Sequence, residues 1–157
     1  MKNDTPKTAE SETPGEAFRK SHRTPKVELE WHVLDATTDT LGRIATQAAS
    51  LILGKHRTDS AKNKAAPVHV VVINSDNLKV TGKKRDQKMY RRYSGYPGGL
   101  HERTLKEQMI RDSRFVIEEA VSGMLPKNNL RAVRIRQLHV YPTADHPHMP
   151  QTKGAAV

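Results

Sequence analysis

A dense run of basic and aromatic side chains between residues 79 and 93 is the segment best suited to chemistry. It holds seven basic residues, two tyrosines and a single acid, Asp86. Lysine and arginine neutralise phosphates and release counterions, and tyrosine rings offer stacking faces to unpaired bases. The pattern predicts nucleic-acid binding, although a solvated basic face would have the same composition. The residues are Lys79, Lys83, Lys84, Arg85, Lys88, Tyr90, Arg91, Arg92 and Tyr93.

A glycine-rich segment, Ser94-Gly-Tyr-Pro-Gly-Gly-Leu100, follows directly. Glycine permits positive φ and close backbone approach, so this loop could present N–H groups to phosphate oxygens. The spacing and the closing Lys-Ser/Thr of a nucleotide-binding P-loop are both missing. On the residues alone, an ordinary turn and a phosphate cradle both stay open.

Two further basic clusters accompany this segment. One lies in residues 55–64 and the other in residues 127–136. In the second cluster, helical spacing at i, i+4 and i+7 predicts a single basic face. Three separated basic segments indicate a broad footprint on folded RNA, and no helix has the pattern of a major-groove reader. The clusters are Lys55, Arg57, Lys62 and Lys64, and Lys127, Arg131, Arg134 and Arg136.

Groups that could support catalysis or hold a metal are few. His146-Pro-His148 offers two imidazoles without an evident carboxylate or thiol partner. Asp35 follows a predicted strand, where an aspartate more often orients a turn than acts as a catalyst. No Gly-x-Ser-x-Gly nucleophile elbow occurs. The residues favour a protein without catalytic residues, metal, cofactor or small-molecule substrate. An enzyme acting on a phosphorylated substrate held by residues 94–99 is an alternative.

The hydrophobic pattern predicts an α/β scaffold for these segments. Residues 31–36 and the β-branched run 68–73 are predicted strands, and residues 41–52 carry apolar side chains at helical spacing between them. Strand, helix and buried strand form a βαβ unit with parallel strands. A second amphipathic helix is predicted at 114–125, before Pro126. Short strands at 78–80 and 138–141 and a basic helix at 129–136 complete the scaffold, with no element assigned within 83–103.

Composition and charge indicate one domain with a polyanionic partner. The chain has 157 residues, a formal net charge of +10 and 35% hydrophobic residues, which fits a modest core. Residues 1–30 hold six basic and six acidic residues and little apolar surface, so they are predicted to be a disordered extension. The net charge therefore lies on the remaining chain. Without cysteine, a long apolar run or a secretory h-region, we expect no disulfide, membrane span or export signal.

Nine short segments, taken in order, resemble one known family, the bacterial large-subunit ribosomal proteins numbered thirteen in the conventional scheme. The resemblance covers about residues 31–150. Segments 94–99 and 123–128 are its most specific parts, and the order and spacing of all nine support it. The segments are Trp31–Ala36, Thr40–Ala45, Gly54–His56, Val71–Asn74, Val80–Lys83, Lys88–Tyr93, Ser94–Gly99, Gly123–Asn128 and Val140–Tyr141.

The resemblance implies a three-layer α/β/α domain around a small, largely parallel four-stranded sheet. It implies a cytoplasmic, ribosomal protein that binds large-subunit ribosomal RNA early in subunit assembly, beside neighbouring large-subunit ribosomal proteins. The family has no catalytic residues and needs no cofactor. The domain is expected to span residues 31–150, between the N-terminal extension 1–30 and a C-terminal tail 151–157.

The basic clusters and the glycine loop coincide with family segments that lie against RNA, which gives an expected RNA-binding set. Its members are Arg43, Lys55, His56, Lys83, Lys84, Arg85, Lys88, Tyr90, Arg91, Arg92, Tyr93, Ser94, Gly95, Tyr96, Gly98, Gly99, Lys127, Asn128, Arg131 and Arg134.

Three departures from the family pattern stand out. Lys62–His69 replaces a His-Val-Asp-Thr-Gly-Asp-like run, so the contacts of that turn are not carried over. Leu130-Arg-Ala132 replaces Leu-Gly-Arg and moves a basic group by one position. The 30-residue N-terminal extension has no family counterpart.

A free RNA-binding regulator, for instance of a messenger RNA, would use the same basic surface and is the alternative function.

Overall fold

The computed structural model describes residues 29–152, so the predicted extension 1–30 falls almost wholly outside the described residues. Two sheets and six helices follow one another along this part of the chain. Their bounds are β1 (Glu30–Asp35), α1 (Leu41–Ile52), β2 (Val68–Ile73), a 3₁₀ turn (Ser75–Asn77), α2 (Lys84–Gln87), β3 (Met89–Tyr93), β4 (Leu100–Thr104), α3 (Leu105–Arg111), α4 (Ser113–Met124), α5 (Leu130–Ile135), β5 (Leu138–Val140) and α6 (Met149–Thr152).

The larger sheet is parallel, and its strand order is β1-β2-β5. Glu30 of β1 lies opposite Val68, and Val70 lies opposite Leu138 of β5. The central strand β2 buries four of its five valine and isoleucine side chains. Such a continuous apolar strand requires a neighbour on each edge and cover on its faces. The predicted βαβ unit with parallel strands is confirmed.

The sheet has three strands, so the expectation of a four-stranded sheet was wrong. The segment 78–80 makes one isolated bridge, in which Lys79 pairs with Thr40. The backbone N–H of Leu41 donates to the carbonyl of Lys79 at 3.1 Å. Because Thr40 is also the N-cap of α1, the chain turns into the helix after this single pairing. Leu78 is nevertheless buried, so its side chain anchors the segment without a ladder.

The core lies where α1 and α4 pack against each other and against the parallel sheet. The predicted stripe on α1 is buried, and Gly54 ends that helix region with φ +69°. On the apolar face of α4, Val116, Ile117 and Val121 are buried, Ala120 is half-buried and Met124 is 43% exposed. The buried helical side chains are Ile44, Ala45, Ala48, Ala49 and Ile52 on α1, and Val116, Ile117 and Val121 on α4.

A β-hairpin and a short helix occupy the region to which the sequence assigned no element. Strands β3 and β4 pair antiparallel, from Met89 opposite Thr104 to Tyr93 opposite Leu100. Helix α3 follows at once and begins with a capping box. The Glu107 N–H donates to Thr104 Oγ1, and the Thr104 N–H donates back to the Glu107 carboxylate. The Leu105 N–H donates to the carbonyl of Lys88 at 2.9 Å, so the base of the hairpin is tied to α3.

We predict that Gly54→Ala lowers the free energy of unfolding more than Gly82→Ala. Both glycines have left-handed φ, +69° and +67°, which cost an alanine about 1–2 kcal/mol. An added Cβ at position 54 would also lie 2.8 Å from the Ala66 Cβ, whereas nothing lies within 4 Å at position 82. Overpacking adds about 1–3 kcal/mol. Urea denaturation of both variants measures the difference, and equal losses would contradict the close contact at Gly54.

Candidate nucleic-acid interface

The hairpin β3–β4 displays arginines because almost none of it is buried. Arg91 and Arg92 are both exposed, on opposite faces of β3. Arg91 faces Glu102 on β4, and its Nε donates to Glu102 Oε1 at 2.7 Å. Arg92 faces His101 and has no salt-bridge partner among the described residues. An exposed ion pair such as that of Arg91 with Glu102 contributes little stability, so the guanidinium groups of Arg91 and Arg92 can both still meet phosphates.

The glycine loop closes the hairpin as a defined turn. The Ser94 N–H donates to the carbonyl of Gly99 at 3.0 Å, and the Gly99 N–H donates to the carbonyl of Tyr96 at 2.9 Å. Gly95 and Gly98 have φ of +89° and +72°, which favours glycine at both positions. The sequence left an ordinary turn and a phosphate cradle open. The geometry gives a hairpin turn whose residues 94–98 are exposed.

The three tyrosines of this region differ in exposure. Tyr93 is 63% and Tyr96 is 75% exposed, so both rings have a face open to solvent. Tyr90 packs edge-on against Phe115 at 5.9 Å, with the Lys88 ammonium 5.0 Å from its ring centroid. Burial, with a smaller contribution from Glu119, raises the pKa of the Tyr90 phenol. Tyr93 and Tyr96 are therefore better placed than Tyr90 to stack on bases.

An open groove of about 1620 Å³ runs between the hairpin and the helices α1, α3 and α4. Its volume exceeds that of ordinary small-molecule pockets, which are roughly 300–1000 Å³. Seven basic residues line it against two acidic ones, so its lining carries a net positive charge. The basic residues are Lys79, Lys84, Lys88, Arg91, Arg92, Arg103 and Arg111, and the acidic ones are Asp112 and Glu119.

The groove contains two arginines absent from the expected RNA-binding set. Arg103 lies on β4 opposite Tyr90, and Arg111 ends α3. Neither belongs to a dense basic run in the sequence, since Glu102 and Asp112 are their neighbours. The sequence does contain a capping-box pattern, Thr104 followed three residues later by Glu107, which predicts the start of a helix at α3. It would have indicated that Arg111 lies on a helix beside the basic segment.

The expectation that Lys127, Arg131 and Arg134 share one basic helical face was wrong. Helix α5 begins at Leu130, so Lys127 lies in the preceding loop and not on the helix. Arg134 is 3% exposed, and its guanidinium donates to the carbonyls of Lys62 and Lys64 at 3.4 Å each. Buried in this way, Arg134 holds the 62–64 loop. The side chain is not available to a phosphate in this conformation.

The remaining residues of this cluster are divided between the fold and the surface. The Arg131 guanidinium donates to Ser122 Oγ at 2.5 Å, so it is partly engaged with α4. Lys127 and Asn128 are exposed in the loop between α4 and α5. They remain available to a partner, and their contact with RNA stays a prediction.

The predicted RNA-binding residues near α1 lie in different settings. Arg43 has an exposed side chain, 3.8 Å from Asp39 one helical turn earlier. Lys55 is exposed in the loop after α1. His56 instead turns to Glu30, with 3.0 Å between its Nε2 and the Glu30 carboxylate. Arg57 also faces Glu30 and makes two hydrogen bonds to Asp59, so this basic cluster is partly neutralised.

The groups considered for catalysis have structural settings. Asp35 Oδ1 accepts from the Thr37 N–H at 2.8 Å and from Asn74 Nδ2 at 3.1 Å. The Thr37 backbone hydrogen bond holds the pKa of Asp35 below its usual value. Asp35 thus orients the turn after β1. His148 packs on His139 and Trp31, and His146 packs on Tyr141.

None of the helices in the described part of the chain has the length and apolar character needed to cross a membrane.

Known proteins match this sequence over most of its length. Residues 29–147 match the family described as Ribosomal protein L13. A relative from Thermus thermophilus, named large ribosomal subunit protein uL13, is 47% identical over 132 residues, 84% of this chain and 94% of the relative. Proteins of the same name from Solibacter usitatus and Mycobacterium tuberculosis are 44% and 48% identical, over 80% and 77% of this chain and 87% and 82% of theirs. The chain belongs to the Ribosomal protein L13 family.

Proposed function

We propose that this chain is a structural constituent of the large ribosomal subunit that binds large-subunit ribosomal RNA and supports early subunit assembly. The observation that carries the proposal is the basic groove beside the exposed hairpin, in a member of this family. Curated relatives across several bacteria carry a large-subunit name, which agrees with this role. The protein acts by binding and positioning, in the cytoplasmic ribosome, and not by catalysis.

The charge distribution supports an RNA partner over a small anionic ligand. Lys83, Lys84 and Arg85 are exposed on and beside α2, next to the arginines of β3. These side chains belong to two successive elements, and Lys83 and Arg85 lie outside the lining of the groove, whereas a small ligand requires a few groups gathered in one pocket. A polyanion gains from such spacing because each phosphate contact releases counterions.

The same proposal extends to the expected RNA-binding residues that remain accessible, and to the layering of the domain. We expect the hairpin and its turn to make the main RNA contact, with Lys127 and Asn128 as a separate second contact. The three-layer α/β/α arrangement implied by the family is supported on one side, where α1 and α4 pack on each other and on the sheet. Neighbouring large-subunit ribosomal proteins would occupy surfaces away from the groove.

We predict that replacing Lys83, Lys84, Arg85, Lys88, Arg91 and Arg92 with alanine weakens binding to large-subunit ribosomal RNA and flattens its salt dependence. Each lost phosphate contact changes the log–log slope by roughly 0.7–0.9. Filter binding or fluorescence anisotropy over a salt series measures the slope.

Single substitutions provide the matched control for this salt series. Arg92→Ala and Lys106→Ala remove the same charge, but Lys106 is an exposed residue of α3 outside the groove. We expect only Arg92→Ala to flatten the slope. Equal slopes for the two variants would mean that net charge, and not this surface, governs binding.

We predict that Tyr93→Ala and Tyr96→Ala each weaken RNA binding by about 1–3 kcal/mol, the usual worth of one stacked base. Tyr90→Phe is the control, because it keeps the ring against Phe115 and removes only the hydroxyl. The affinity of that variant for RNA should stay unchanged. Wild-type affinity in both alanine variants would show that neither exposed ring stacks on a base.

We predict that the chain sediments with large ribosomal subunits through a high-salt sucrose gradient. An integral component is held by many buried contacts and survives conditions that screen exposed charge pairs. Immunoblotting of the fractions gives the distribution. Recovery mainly at the top of the gradient would replace the structural role with that of a free RNA-binding regulator.

A further inference from the structure

A cluster of Glu30, His32 and His56 lies apart from the basic groove and has no part in the proposed RNA contact of the hairpin. Glu30 and His32 are two residues apart on β1, so their side chains point to the same side of the strand. His56 reaches them from the loop after α1. One carboxylate oxygen and two imidazole nitrogens lie within 4.8 Å of one another. We propose that these three residues form a binding site for a divalent transition-metal ion of the Zn²⁺ type.

The distances fit a shared ion. The Glu30 Oε2 atom lies 3.0 Å from His56 Nε2 and 3.9 Å from His32 Nε2. Zinc binds imidazole nitrogen and carboxylate oxygen at about 2.0–2.2 Å, so two ligands at a tetrahedral angle are about 3.4 Å apart. The two measured separations lie on either side of that value. A shared ion would draw all three ligand atoms, which lie within 4.8 Å of one another, towards that spacing.

The nitrogen of His32 provides an independent reason to expect a ligand. His32 Nε2 is buried and has no hydrogen-bond partner within residues 29–152. Its distance of 3.9 Å from the Glu30 carboxylate is too long for a hydrogen bond. Buried polar atoms in native proteins nearly always have a partner. An ion between Glu30 and His32 would supply it.

Arg57 and Asp59 hold the carboxylate in the orientation that a metal requires. The Arg57 guanidinium donates to Glu30 Oε1 at 2.5 Å, which leaves Oε2 facing the two imidazoles. Two further hydrogen bonds, at 2.9 and 3.0 Å, join Arg57 to the Asp59 carboxylate. Partners of this kind fix the geometry of metal ligands. Two carboxylates and one guanidinium leave one net negative charge beside the site.

The side chains of His56 and Glu30 are 33% and 39% exposed, so an ion can reach the cluster from solvent although His32 Nε2 itself is buried.

The histidines on the other strands do not offer a comparable site. His69 Nδ1 and His139 Nε2 lie 3.2 Å apart and are already paired with each other. Trp31, His139 and His148 form a stack of rings, with centroids 4.5–5.7 Å apart. In the described part of the chain, only the Glu30 cluster gathers three ligand atoms closely enough to share one ion. The sequence could not reveal it, because His56 is 24 positions from His32.

Metal binding would fasten the start of β1 to the loop that follows α1. It would also occupy His56, which the sequence analysis assigned to RNA binding. The inference does not depend on the proposed function, because the site lies away from the hairpin and the groove.

Titration of the metal-free full-length chain with Co²⁺ and Zn²⁺ tests the proposal. We expect one Co²⁺ per chain with the intense visible absorption of low-symmetry four-coordinate cobalt, displaced by Zn²⁺ at micromolar concentration. His32→Gln and His56→Gln should each weaken binding by more than about tenfold, because each removes a direct ligand. Acidification should release the ion, because imidazole must be neutral to bind it.

Control variants keep the outcome decisive. His101→Gln on the exposed hairpin and His148→Gln in the ring stack should bind Zn²⁺ as the wild type does. Circular dichroism confirms that each variant is folded, and the two ligand variants provide independent readings. Unchanged Zn²⁺ affinity in folded His32→Gln and His56→Gln, or loss of binding only in His148→Gln, would overturn the proposal. Failure of the wild type to bind either ion at micromolar concentration would do so too.

Discussion

Parallel pairing of β2 with strands on both of its edges is the constraint on which the remaining structure depends. Strand β2 consists largely of valines that cannot face water at low cost, so it must be central in the sheet and covered on both faces. These residues are Val68, Val70, Val71 and Val72. A parallel neighbour requires a crossover, and α1 provides it between β1 and β2. Burial of α1 then requires the apolar face of α4. Within residues 83–104 only Tyr90 packs against this core, so the rest of that region is free to carry charge.

The hairpin illustrates the consequence of separating core from charge. Most residues of β3 and β4 are exposed, and an isolated two-stranded hairpin is marginally stable in water. Its attachment is local: Tyr90 packs on Phe115, and Lys88 accepts a hydrogen bond from Leu105. Clustered like charges oppose further stabilisation. A polyanion that neutralises them would therefore order the hairpin as well as bind it, which joins RNA recognition to local folding.

The sequence predicted correctly the helices and strands whose apolar side chains recur at a regular spacing. The β-branched run of β2 and the apolar stripes on α1 and α4 each predict burial, and the structure confirms them except at Met124, the exposed end of the α4 stripe. The fourth strand was wrong because pairing depends on a partner, and Thr40 can provide only one bridge before α1 begins. The hairpin was missed because β3 alternates only weakly between apolar and polar side chains. Its turn was visible, but the residues of its strands suggested only charge.

The candidate site could be located from sequence, but the role of each basic residue could not. Arg92 and Arg134 both belong to dense basic segments, yet one is exposed on a hairpin and the other binds backbone carbonyls inside the fold. Arg57 is engaged differently, by the carboxylates of Glu30 and of its near neighbour Asp59. A buried guanidinium needs acceptors that come from distant parts of the chain, such as the carbonyls of Lys62 and Lys64. Composition reports the charge of a segment, whereas the tertiary acceptors decide which charges remain for RNA.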